Sequence, residues 1–151
     1  MLESLHREDS RFVTIGRPPG WETLSVPPSA DLLLAAPAGA GGLFRPNVVI
    51  NSFPYTGSLA KLSTVVLSYT HTMVKNPYFI SVDQFPPDRG EGRIIEYTHT
   101  AGDLAVHCRV FVLQAKDHAV LVTASCAAGE LSAYDDVLDL VCLSVNLKQA
   151  Q

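Results

Sequence analysis

One stretch, EYTHTAGDLAVHC, brings His99, His107 and Cys108 together within residues 96–108. Imidazole and thiolate are zinc ligands, and an imidazole beside a thiol is also the pairing of a cysteine nucleophile. Either chemistry requires the side chains to meet at one point, so the outcome depends on how Gly102-Asp103 turns the chain. A two-residue loop with Gly first and Asp second is the signature of a type II′ hairpin. It pairs Ala101 with Leu104, Tyr97 with Cys108 and Glu96 with Arg109. Ile95, Tyr97 and His99 then share an apolar face with Val106, Cys108 and Val110. Glu96, Thr98 and Thr100 share a polar face with Ala105, His107 and Arg109, where Glu96 and Arg109 are complementary. In this register His99 and His107 stand on opposite faces and cannot ligate one metal. A three-residue loop would slip them to the same face, but it mixes apolar with polar residues. Even then no third and fourth ligand follows at zinc spacing. His107 and Cys108 are neighbours along a strand and point apart. We expect no metal and no cofactor.

Other catalytic signatures are missing. There is no GxSxG nucleophile elbow, and AGAGG lacks the lysine and following helix of a phosphate loop. The three cysteines, Cys108, Cys126 and Cys142, have no CxxC spacing and read as buried thiols. Lys and Arg number 11 in a chain of formal net charge -4, with no basic run. Nucleic-acid binding, which relies on clustered cations, is not expected. The expected partner is another protein, and the chain is expected not to be an enzyme.

These residues must be positioned by a fold that the pattern outlines. The 151 residues suit a single domain, spanning 1–151 with its core at about 11–147. Strands are predicted at 11–16, 31–37 and around Val48, Val49 and Ile50, with AGAGG as a flexible link. A helix follows from Ser58, its N-cap, to Asn76-Pro77, with Leu59, Leu62, Val66, Tyr69 and Met73 as the buried stripe. Four strands come next, at 78–85, 93–100, 104–114 and 118–126. A closing helix over 132–147 carries a Ser132–Asp135 capping box. It buries Tyr134, Leu138, Val141 and Val145 and leaves Asp135, Asp136 and Asp139 in solvent. Val110 and Val112 alternate with Phe111 and Leu113, so that strand is apolar on both faces and needs covering on both sides. The apolar runs are strand-sized, and none could span a bilayer. Residues 1–12 have no apolar signal-peptide core, so a cytoplasmic location is expected.

Two stretches read as contact surfaces. RPPGW is a rigid turn carrying the only tryptophan, Trp21, and QFPPDRGEGR carries Phe85, Arg89 and Arg93. Tryptophan and arginine are frequent interface anchors. The alternatives are that Trp21 caps the edge of the core and that the loop is only a connection. A pocket between sheet and helix would be lined by Tyr69, Tyr97 and His99.

The order of these elements, with the motifs PPGW and FRPNVVI and the terminal amphipathic helix, resembles the PsbP-like fold. Within it the chain looks like the actinobacterial LpqN/LpqT-type proteins. The fold is also similar to that of a fungal Ran-binding nuclear-import factor and of the bacterial envelope protein DcrB. The resemblance implies an α+β protein, a three-layer α/β/α sandwich on a mainly antiparallel sheet. It also implies a non-catalytic accessory or protein-interaction module. LpqN-type proteins are typically lipoproteins, whereas no lipobox occurs here. The alternative function is a carrier of a small apolar ligand, or an enzyme, with a pocket between sheet and helix. A helix-grip lipid-binding fold would serve it, but that fold expects one strand before its first helices, and three precede Leu59.

Overall fold

The computed structural model describes residues 4–148. Ten strands and two helices follow one another as β1 (His6–Asp9), β2 (Val13–Arg17), β3 (Glu22–Leu24), β4 (Leu32–Ala35), β5 (Asn47–Pro54), α1 (Leu59–Met73), β6 (Lys75–Gln84), β7 (Arg93–Ala101), β8 (Leu104–Ala115), β9 (His118–Ala127), α2 (Leu131–Leu143) and β10 (Asn146–Leu147). Seven strands form one antiparallel sheet in the order β3-β4-β5-β9-β8-β7-β6, and β1-β2-β10 form a second, small one. The predicted bounds of the three-strand meander, 93–100, 104–114 and 118–126, hold to within one residue at each end. β6, by contrast, starts at Lys75, three residues before the predicted 78, because α1 stops at Met73. Three strands were not expected: HRED, ETL and NL are too short and too polar to show a period.

The β7–β8 hairpin takes the two-residue loop. Ala101 pairs with Leu104, Tyr97 with Cys108 and Glu96 with Arg109, and Gly102 has φ 61°, as the first central position of a II′ turn requires. β8 is apolar on both faces and lies in the middle of the large sheet, so each face feeds a different core. Val106, Cys108, Val110 and Val112 pack with Leu62 and Val66 of α1. Phe111 and Leu113 pack with Leu138, Val141 and Cys142 of α2 and with Val13 and Ile15 of the small sheet. The architecture is the expected three-layer sandwich, with one helix on each side.

The two faces are covered unequally. Seven strands at about 4.8 Å spacing span roughly 28 Å, and a helix with its side chains is only about 10 Å across. On the α2 side, the small sheet supplies the remaining cover. On the other side, α1 is the only helix among the described residues, with Phe44 and Tyr55 from the connecting segments packed against the same core.

Both helix starts test the sequence reading. Ser58 caps α1, its Oγ accepting the Lys61 N–H at 3.1 Å. The capping box at Ser132 does not form. A 3-10 turn over Ala128–Glu130 runs directly into α2, so Ser132 is already the second helical residue and cannot stand outside as a cap. The helix also stops at Leu143, short of the predicted 147, and the chain pairs with β2 instead.

Candidate functional site

The uncovered part of the α1 side is a cleft of about 540 Å³ between that helix and the sheet. Phe53, Leu121, Thr123, Val110 and Tyr97 line it from strands β5, β9, β8 and β7, and Val65, Tyr69 and Met73 line it from α1. These three helical residues lie at i, i+4 and i+8 and form a ridge. Val65 is 38% exposed, Tyr69 59% and Met73 63%. The predicted stripe therefore needs correction: Leu62, Ser63, Val66 and Thr70 are the buried residues of α1, and Tyr69 and Met73 are not. The helix is rolled so that a second apolar row points at open space beside the sheet. That row was visible in the sequence as V-x-x-x-Y-x-x-x-M, but only the partial cover of the sheet decides which row is buried.

Chemically the cleft is quiet. Its lining includes no carboxylate, imidazole, amine or thiol. Ser52 donates its hydroxyl to Asp31 at 2.6 Å, and burial raises the Tyr97 phenol far above its usual range. The thiols are no more reactive. Burial pushes Cys126 up to about 11 and Cys142 up to about 12, and it raises Cys108 as well.

Of the three expected pocket residues, Tyr69 and Tyr97 come together in the cleft and His99 does not. The His99 ring lies 5.9 Å from that of Tyr97, and its buried Nδ1 makes no hydrogen bond among the described residues. It is half-buried on the α1 side, away from the lining. His107 stands on the opposite face, with Nε2 2.9 Å from Glu96 Oε1.

The polar face bearing His107 is closed by α2, and His107 itself is buried. Arg109 meets Glu96 at 3.6 Å as anticipated, yet its nearer partners are on the helix, Asp135 at 3.1 Å and Asp139. Two of the three aspartates assigned to solvent thus tie α2 to the sheet. Arg109→Met is expected to lower stability by about 1–2 kcal/mol, less than a fully buried pair would because both aspartates remain partly solvated. Urea unfolding monitored by circular dichroism measures this difference.

The other contact candidates are placed as follows. Trp21 is 7% exposed and belongs to the core with Val13, Ile15 and Leu34. Pro19 and Gly20 (φ 83°) make a type II turn, closed by the Trp21 N–H to the Pro18 carbonyl at 3.1 Å. That turn folds the indole inward instead of presenting it. Phe85 lies against Phe111, ring centroids 5.8 Å apart, and Arg93 donates to the Gly92 carbonyl at 3.0 Å. Arg89 is exposed and lines a groove of about 270 Å³ with Asp83, Glu96 and Asp139. Of the four, Arg89 alone is exposed.

This arrangement defines an α+β sandwich of PsbP-like fold. No protein-family profile and no curated protein matches the chain in sequence. Solved structures do match. The solution structure of cyanobacterial PsbP (CyanoP) from Synechocystis sp. PCC 6803 has a TM-score of 0.71 at 15% identity, covering 96% of this chain and 93% of that one. A protein of unknown function from Pseudomonas aeruginosa, PA94, described as a putative regulator, has a TM-score of 0.68 at 11% identity, covering 91% and 92%. LpqN, involved in cell envelope biogenesis of Mycobacterium tuberculosis, has a TM-score of 0.65 at 10% identity, covering 91% and 83%. At such identities the likeness shows the fold alone. Among the described residues, no helix is long and apolar enough to cross a membrane.

Proposed function

We propose that this chain is a non-catalytic binding module that holds an apolar segment of a partner protein in the cleft beside α1. The observation that carries the reading is the ridge of Val65, Tyr69 and Met73, exposed over an apolar floor. Large apolar side chains grouped around a concavity cost solubility, and such patches mark interaction sites. The lining offers hydroxyls but no carboxylate, imidazole, amine or thiol among the described residues to activate them, which supports binding over reaction. A free edge of the large sheet is a weaker alternative. β6 carries Pro77 and two register shifts, devices that discourage strand addition.

A second reading, a small apolar ligand in the same cleft, is favoured by the volume, which falls within the roughly 300–1,000 Å³ of ligand pockets. Photocrosslinking tests the first reading. A benzophenone amino acid at Tyr69 is expected to trap a partner protein in cells, and one at Asp136 on α2 is not. Val65→Asp with Met73→Asp should reduce the Tyr69 crosslink by roughly tenfold or more, while Arg89→Ala leaves it unchanged. Loss with Arg89→Ala instead would move the site to the 85–93 loop. A retained small molecule in native mass spectra, with no protein crosslink, would replace the module by a carrier.

The cytoplasmic location expected from the sequence is part of this proposal. LpqN, which shares the fold, is described as involved in cell envelope biogenesis. Fractionation of cells expressing the full-length protein separates the two placements.

A further inference from the structure

A second concavity, of about 990 Å³, lies between the outer face of the small sheet and the turn joining β8 to β9. It shares no lining residue with the cleft beside α1. Arg7, Arg11, Lys116 and Lys148 line it, and Asp117 is the only carboxylate in the lining among the described residues. These four are scattered along the sequence and are brought together by β1–β2 pairing, by the return of the chain along β10, and by the β8–β9 turn. The joint between these parts is fixed: the Lys148 N–H donates to the Phe12 carbonyl at 2.8 Å, and the Phe12 and His118 rings stack with centroids 4.5 Å apart.

The cations are poorly compensated. Asp9 is shared by Arg7 at 3.5 Å and Lys148 at 3.8 Å, and Asp117 turns to His118 at 2.8 Å. Arg11 sits over the Phe12 ring, 4.7 Å from its centroid, and neither Arg11 nor Lys116 makes an ion pair among the described residues. A concave surface lined by one sign of charge focuses the field into the groove and raises the local concentration of opposite charge.

From this geometry we infer that the groove is a docking site for a short acidic polypeptide segment. An anion as long as a nucleic acid would extend past the four cations over a chain whose formal net charge is -4. A short acidic segment stays within the reach of the local field, which screening limits to about 8 Å at physiological salt. The open groove, of about 990 Å³, is large enough for several side chains.

The test uses the full-length protein and a fluorescein-labelled octaglutamate peptide, read by anisotropy at about 50 mM and about 500 mM salt. Saturable binding is expected at low salt and is largely lost at high salt. Arg11→Glu with Lys116→Glu should weaken it by roughly tenfold or more, whereas Lys61→Glu on α1 should change it by less than about twofold. Both replaced residues are on the surface, and circular dichroism checks that the fold is retained. In amide spectra, the peptide should shift the signals around Arg7, Arg11, Lys116 and Lys148. Absence of saturable binding, an equal loss with Lys61→Glu, or a labelled octathymidylate binding as tightly as the peptide would each overturn the inference.

Discussion

Replacing Trp21 with alanine is expected to destabilise the protein by about 3–5 kcal/mol, the range for removing a large aromatic side chain from a core. The indole belongs to the core that also holds Val13 and Ile15 of the small sheet and Leu32 and Leu34 of the large one. Its loss leaves a cavity in that core. For a domain of this size such a change lowers the melting temperature by roughly 6–20 °C. Calorimetry measures it directly. A variant that unfolds within a degree or two of the parent would return the tryptophan to the surface and restore the contact surface read from RPPGW.

The second large effect is expected at Leu62. This residue is fully buried, and it and Val66 are the buried apolar residues of α1 in the core against the sheet. Leu62→Ala should cost about 2–5 kcal/mol. Because α1 is the only helix on its side of the sheet among the described residues, the loss should appear as faster amide exchange in α1 and β6, with α2 still protected. Met73→Ala, one helical row away, should stay within about 0.5 kcal/mol of the parent. A contrast of this size between two apolar residues of one helix distinguishes side chains that hold the fold from those offered to a partner. Equal costs at both positions would mean that the ridge is core and that the cleft is closed in solution.

Much of the candidate site could be read from residue patterns, and its omissions have specific causes. Tyr69 and Tyr97 both line the cleft: the strand face of Tyr97 follows from the hairpin register, whereas Tyr69 reaches the cleft from an exposed row of α1 and not from the buried stripe expected for it. His99 shares the face of Tyr97 but lies outside the cleft, since a strand extends beyond the part of the sheet that a helix overhangs. Arg109 was paired with Glu96 through the hairpin register alone. Its stronger ties to Asp135 and Asp139 link residues about thirty positions apart in the chain, and no local pattern encodes such a pair.

Local chemistry was enough to determine the strands of the meander, the hairpin register at Gly102-Asp103, the cap at Ser58 and the need for cover on both faces of β8. Each of these rests on interactions between neighbours in the chain or across one turn, and their energetics are contained in a few consecutive residues. Tertiary structure alone decided the rest. It rolled α1 so that Tyr69 and Met73 face outward and turned Trp21 into the core. It completed the small sheet by adding to the expected strand at 11–16 two segments, HRED and NL, too short to announce themselves. It also gathered Arg7, Arg11, Lys116 and Lys148 into one groove. The physical reason is common to all of them: a single helix cannot cover a seven-stranded sheet, so which residues are buried depends on what else reaches each face.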